Sequence, residues 1–254
     1  MSRISTLAQL RDAVCTRADV VDGGTTGRHT TAALNRYINQ AIQQFRRLVT
    51  DSGCTIYIAS VQATTSTSST PDANNWAPRD YLAMPSNFYH LEGIDIVTGG
   101  TTVPMLDFMM LERDLFKLAP AWLATGGAGM PIFYKLGGFN AAGDQVAKII
   151  PSADSAYTCT IWYLPIATDL VGDSDPFNGL AGYEEWVVNR AAMDALLRDG
   201  AAGNSYTALA GENARLEHKM AFEFANAAGP GRRIDSKALR SRMIQLSRGD
   251  WRIV

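Results

Sequence analysis

Cysteine and histidine, the residues that most often carry metal, redox or nucleophilic chemistry, are scarce: the 254-residue chain has three of each. Cys15, Cys54 and Cys159 are odd in number, far apart and outside any metal-ligand spacing. That argues against a disulfide framework or a zinc site and predicts three buried, reduced thiols. His29, His90 and His218 fall in no HExxH motif and no close pair, so a histidine-based metal centre or catalytic triad lacks its material. Long apolar runs are missing too. Nothing approaches the ~18 uninterrupted apolar residues of a spanning helix, and residues 1–10 (MSRISTLAQL) lack the apolar core of a secretory signal. A protein made in a cytosol, with no membrane partner, is expected. Proline (10) and glycine (22) stand near ordinary usage, which excludes a collagen-like or wholly disordered chain. With a net charge of only -2, overall electrostatics single out no partner.

What is present is 46% hydrophobic and 19% charged residues, enough at this length for a sizeable core in one globular unit, or one plus an insertion. Thr6 and Gln9 have capping-box spacing, and Leu7, Leu10 and Val14 recur at helical intervals, so residues 6–17 are predicted helical. After the breaker at residues 22–27 (DGGTTG), Leu34, Tyr37, Ile38, Ala41, Ile42, Phe45, Leu48 and Val49 trace one apolar stripe, predicting a helix over 31–51. From residue 55 to 170 the pattern changes. Short β-branched and aromatic runs at 56–61, 88–97, 132–136, 146–150 and 157–163 predict strands. Residues 98–101 (TGGT) predict a hairpin turn, and 106–118 a helix on the sheet. The polar tract 64–75 (TTSTSSTPDANN) predicts an exposed, mobile loop outside any core. Helical spacing returns at 182–198, apolar on much of its circumference, and at 205–227, where Tyr206, Leu209, Asn213, Leu216 and Met220 form a packing seam.

Strands gathered in one block argue against a parallel α/β sheet. The expected fold class is α+β: a four-helix bundle with a β-rich domain inserted between the second and third long helices, plus an extended C-terminal arm. Expected boundaries are 1–54 and 171–228 for the bundle, 55–170 for the insertion and 229–254 for the arm.

Candidate chemistry is thin. Residues 23–30 (GGTTGRHT) superficially resemble a phosphate loop, but the glycine spacing is one short, Arg stands where Lys belongs, and a helix rather than a strand precedes it; a turn is predicted. Asp173, Asp175 and Glu184 match the first, third and twelfth ligands of a calcium loop, yet Phe177 takes the fifth and Asn178 the place of the invariant glycine. Capping and the helix macrodipole explain these carboxylates instead. Glu184 and Glu185 are adjacent on a helix and do not face one another as paired acids. No catalytic residue, metal or cofactor is expected, and the chain is not read as an enzyme.

Charge is unevenly placed. Residues 229–254 carry seven basic residues (Arg232, Arg233, Lys237, Arg240, Arg242, Arg248, Arg252) against two acidic ones, interspersed with Ile234, Leu239, Met243, Ile244, Leu246, Trp251 and Ile253. An arm with both kinds of side chain, and too little of its own chain to cover them, suits a groove on an acidic protein partner. The alternative is a nucleic-acid-binding tail, although few aromatics are present to stack on bases.

Residues 7–19 (LAQLRDAVCTRAD), 34–42 (LNRYINQAI), 81–89 (YLAMPSNFY), 161–170 (IWYLPIATDL), 182–188 (GYEEWVV) and 191–195 (AAMDA), in that order, resemble the phage head-to-tail adaptor family, also called head completion or connector proteins. The resemblance implies a structural virion protein of the neck, assembled in the host cytoplasm. It implies a ring, commonly of twelve copies, that docks on the portal protein after DNA packaging and offers its far face to a tail or nozzle protein, with non-specific contact to DNA in the channel. In relatives the C-terminal segment reaches into the portal, which gives residues 234–254 the docking role. The tract 64–75 and the length of the arm depart from the shorter relatives.

Overall fold

A computed structural model describes residues 6–24, 28–73, 77–107, 128–200 and 203–227. The class is α+β. Among the described residues the chain divides into two units, one formed by residues up to Tyr57 and from Ile166 to the last described residue, the other by Ile58–Pro165. The arm at 229–254 lies outside the described residues, as does most of the helix predicted at 106–118.

Among the described residues the first unit contains four helices: α1 (Leu7–Ala18), α2 (Thr31–Asp51), α3 (Glu184–Arg198) and α4 (Asn204–Ala227). Thr6 caps α1 by accepting from the Gln9 N–H at 3.4 Å, and Thr30 caps α2 by accepting from Ala33 at 3.2 Å. Both occupy otherwise unpaired helix-start donors. The α2 stripe predicted from spacing is buried from Leu34 to Val49 save for half-buried Leu48. On α3, Trp186, Val187, Val188, Ala191, Ala192 and Leu196 are buried around much of the circumference, because α3 packs against α1, α2 and α4. Its start falls two residues later than predicted, since Gly182 takes a left-handed φ of 94° that no helix continues. Leu197, expected to share the burial, is exposed. Aromatic rings fill the centre: Phe45 is fully buried, its ring 5.7 Å from Trp186 and 6.2 Å from Tyr183. Such tilted contacts add to plain area burial.

Among the described residues the second unit has ten strands: β1 (Ala59–Thr64), β2 (Tyr81–Ala83), β3 (Phe88–Thr98), β4 (Thr101–Pro104), β5 (Leu106–Asp107), β6 (Ala128–Gly129), β7 (Phe133–Phe139), β8 (Gln145–Ile150), β9 (Ser152–Ala153) and β10 (Thr158–Pro165). One sheet is antiparallel in the order β1-β10-β3-β4; the other runs β2-β8-β7-β5, with only the short β5 parallel to its neighbour. Alternation then builds the core. Cys159, Ile161 and Tyr163 from β10 join Ile94 and Ile96 of β3, and share one cluster with Leu82, Tyr134, Ala147 and Ile149 of the second sheet. The predicted turn joins β3 to β4, with Gly99 at φ 57° and Gly100 at φ 80°, the doubly positive geometry of a tight hairpin.

Three predicted elements need correction. The run 56–61 is not a strand from its start: β1 begins at Ala59, Ile56 is exposed, and Tyr57 packs on the helical core with the Arg46 guanidinium 4.9 Å above its ring. An aromatic that finds a cation and a helix face leaves the strand pattern. The tract 64–75 is not all loop. Thr64 pairs with Thr158 in the sheet, and Thr65 is 2% exposed, its hydroxyl donating to the Ser155 carbonyl at 2.9 Å and accepting from the Tyr157 N–H at 2.8 Å. A threonine whose hydroxyl both donates and accepts is stable inside. Lastly, Leu106 and Asp107 are extended, pairing with Phe133 and Tyr134, where a helix was expected.

Candidate interaction surface

Within the helical unit, residues 166–178 run as irregular chain alongside α2 and past the start of α1, and α2 grips them with amide side chains. Asn39 holds Leu170 twice: its Oδ1 accepts from the Leu170 N–H at 2.9 Å, and its Nδ2 donates to the Leu170 carbonyl at 3.0 Å. One turn further on, the Gln43 carbonyl oxygen accepts from the Ala167 N–H. Arg46 donates to the Asn178 carbonyl at 3.2 Å, and Asn178 donates to the Thr168 carbonyl at 2.9 Å. The i, i+4 spacing of Asn39 and Gln43 puts both amides on one side of α2. Irregular backbone near a core is stable only when its N–H and C=O groups are paired, and these side chains supply the pairs.

The carboxylates weighed as calcium ligands serve this same segment. The Asp173 side chain meets the Arg11 guanidinium at 3.0 Å, and Arg11 also reaches Asp22 at 3.0 Å and Asn35 at 3.3 Å. Asp175 accepts from its own turn, the Val171 and Gly172 N–H groups both at 2.8 Å, which holds its carboxyl below the ordinary range. The backbone carbonyls of Asp173 and Asp175 accept from Ala8 and Leu7 at 3.1 and 3.0 Å. The expectation that both acids cap the helix following them is therefore corrected: they secure the first turn of α1. Glu184 does sit at the start of α3, accepting from the Gly182 N–H at 2.8 Å. Among the described residues no three His, Cys, Asp or Glu side chains converge as metal ligands.

The glycine-rich stretch makes a turn. Gly24 has φ 60°, and Asp22 accepts from the Gly24 N–H and the Thr31 hydroxyl, each at 2.9 Å. His29 is buried, its Nε2 2.9 Å from Asp199, and Arg28 reaches the other oxygen of Asp199 at 2.7 Å. The His29 hydrogen bond, with the charges of His29 and Arg28 behind it, holds the Asp199 carboxyl below its ordinary range. This clasp ties the turn to the end of α3. The thiols differ from expectation: Cys159 is buried and pushed up to about 11 by desolvation, whereas Cys15 and Cys54 are only half-buried, at the edge of the helical core.

Between α2 and the clamped segment lies a groove of about 530 Å³, with Asn35, Arg36, Asn39 and Gln43 along one side and Ile166, Asp169 and Val171 along the other. Ile166 and Val171 are 53% and 78% exposed. Asp169 makes no ion pair or hydrogen bond among the described residues. The face of α4 opposite its buried seam is also open, with Ala208, Gly211, Arg215, His218 and Phe222 all exposed. In the β-rich unit, Trp162 stands outward on its sheet with its indole N–H donating to Asp95 at 2.7 Å.

Of the residues predicted to dock a partner, Arg232, Arg233, Ile234, Lys237, Leu239, Arg240, Arg242, Met243, Ile244, Leu246, Arg248, Trp251, Arg252 and Ile253 all lie outside the described residues. Sequence reasoning missed the Asn39 and Gln43 clamp. The only signal available was a pair of amides at i, i+4 on the polar side of an amphipathic helix, a pattern shared by ordinary solvated faces. No helix among the described residues is long and apolar enough to cross a membrane. A family model described as SU10 adaptor protein matches residues 5–243. No curated protein matches the chain.

Proposed function

Since the chain belongs to the SU10 adaptor protein family, we propose that it is a structural subunit of a tailed-phage neck, a ring-forming adaptor between portal and tail with no catalytic role. The observation that carries this reading is the length of the family match, residues 5–243, which takes in both units and the front half of the arm. In this reading α1 to α4 form a four-helix bundle, the β-rich unit is an insertion between α2 and α3, and residues 229–254 are an arm. The bundle makes the body of the ring.

Two features support it. The side-chain chemistry of the helical unit is spent on holding chain to chain: amides on backbone, Arg11 across two carboxylates, His29 on Asp199. The arm pairs seven cationic residues with a scatter of apolar ones, a composition suited to lying in a groove of an acidic protein, here the portal, where each kind of side chain finds its complement. The opposite side of the ring then receives the tail or nozzle protein.

The test compares the full chain with a chain ending at Gly229, each mixed with portal rings and followed by sedimentation. The truncated chain is expected to keep its helical circular dichroism and to lose portal binding. A second variant, R240A with R242A and R248A in the full chain, should weaken binding while its circular dichroism stays unchanged. Undiminished portal binding by the truncated chain contradicts the docking role. Binding to DNA that weakens steeply as salt rises, with none to portal, transfers the arm to nucleic acid.

A further inference from the structure

We propose that the helical unit associates head to tail with a second copy of this chain, the outer face of α4 on one copy seating in the groove between α2 and residues 166–171 of the next. The identity of the ring follows from the neck reading; the pairing rests on two surfaces of the helical unit.

The first surface is α4. Ala208, Gly211, Arg215, His218 and Phe222 follow one another at three and four residues and are all exposed, so they form one stripe along the helix. It lies opposite the buried Leu209, Asn213, Leu216 and Met220. Phe222 is 67% exposed, a large apolar side chain left mostly uncovered among the described residues. Gly211 is the more telling residue. Glycine inside a helix costs about 1 kcal/mol relative to alanine, yet a Cβ built at Gly211 meets nothing within 4 Å. Nothing among the described residues needs the missing methyl. A backbone bared on the outer side of a helix, beside another small residue at Ala208, lets a second chain come close.

The second surface is the groove. Its walls are apolar where Ile166, Ala167, Leu170 and Val171 line it and polar along α2, and the amide clamp fixes its shape. Its α2 side runs from Ala32 to Gln43, about 16 Å at the helical rise. The α4 stripe from Gly211 to Phe222 spans the same eleven residue steps, about 16 Å, and matches that length. The groove holds two charges, Arg36, whose guanidinium lies 5.6 Å over the Tyr37 ring, and Asp169; Asp169 is the one a cationic stripe would pair. Asp169 in the groove and Arg215 on the stripe are each exposed and make no ion pair among the described residues, and they carry opposite signs. Phe222 has an apolar wall to meet at Ile166 and Val171. Every copy bears one of each surface, and both look away from the shared core. A contact between unlike patches leaves a free patch at either end, so it propagates and closes into a ring when the rotation per step allows.

The experiment uses full chains. Phe222→Asp disables the stripe and leaves the groove; Asp169→Arg, which sets like charges together, disables the groove and leaves the stripe. In sedimentation at high protein concentration, each variant should self-associate roughly tenfold more weakly than the parent. Their mixture should give one-to-one dimers and nothing larger, and Asp169→Arg with Arg215→Asp in one chain should regain association. In parallel, Val171→Cys and Phe222→Cys are combined in a chain whose Cys15 and Cys54 are serine, loaded on portal rings and oxidised. A ladder of covalent oligomers is expected only when both new cysteines are present. Chains that load on portal but give no ladder, with mixed variants that stay monomeric, overturn the pairing and leave the neck reading standing. Chains that pair in solution but never bind portal do the reverse. A groove cysteine that cross-links to portal or tail protein instead of to a second copy also overturns the proposal.

Discussion

Replacing Asn39 by alanine removes both hydrogen bonds that hold Leu170 against α2, at 2.9 and 3.0 Å. A typical hydrogen bond contributes about 1 kcal/mol net, more where the abandoned partner stays buried. Leu170 is a buried residue of the helical core, so its N–H and carbonyl gain little from water once the amide is gone. The loss should be about 2 kcal/mol, concentrated on the stretch 166–178 and not spread over the helices. At 1.4 kcal/mol per factor of ten this is a roughly thirtyfold fall in protection. Native-state hydrogen exchange at the Leu170 amide reads it directly, with an α3 amide such as Val188 as the internal reference. Asn39→Asp keeps the acceptor for the Leu170 N–H but sets a carboxylate against the Leu170 carbonyl, and should lose at least as much as the alanine variant. Protection at Leu170 unchanged within a factor of three in N39A would refute the clamp as the element that fixes this segment.

Phe45 packs between Tyr183 and Trp186 and is fully buried, so F45A should destabilise the helical unit by about 3–5 kcal/mol, measured by urea unfolding followed at 222 nm; a loss under 1 kcal/mol would mean the aromatic centre is not what holds the helices. Asp199 gives a pH dependence. Its folded carboxyl lies below the ordinary value because His29 and Arg28 favour the charged form, so the stability it contributes is complete above the unfolded value near ~4 and is lost as pH falls through the lower folded value. Unfolding measured from neutral pH down to strongly acid pH should therefore show a shallower acid decline in D199N than in the parent, and equal declines would contradict the linkage.

The parts of the fold that were legible are those governed by a repeating burial pattern. The α2 stripe predicts residues 31–51, the bounds the helix has, because eight apolar residues at helical spacing leave no other face to bury. The α4 seam was legible for the same reason, and the turn at Gly99 and Gly100 because two consecutive positive φ angles all but require glycine. What was not legible depends on a partner distant in sequence. Thr65 reads as one residue of a polar loop until Tyr157 and Ser155 are beside it, and Tyr57 reads as strand until Arg46 covers its ring. The amides of Asn39 and Gln43 bond to backbone groups more than a hundred residues away, and a backbone group leaves no trace in composition. Asp173 was weighed for a metal and for a cap on the wrong helix, because its true partner, Arg11, lies 162 positions away in the chain.

The neck role itself is tested most directly by imaging particles that carry this chain at a resolution that resolves its two units and the arm. The account predicts a closed ring of copies at the portal vertex, with residues 234–254 of each copy inserted against the portal. Particles in which the chain is placed away from that vertex, or in which its C-terminal residues fold back on their own subunit, would contradict it.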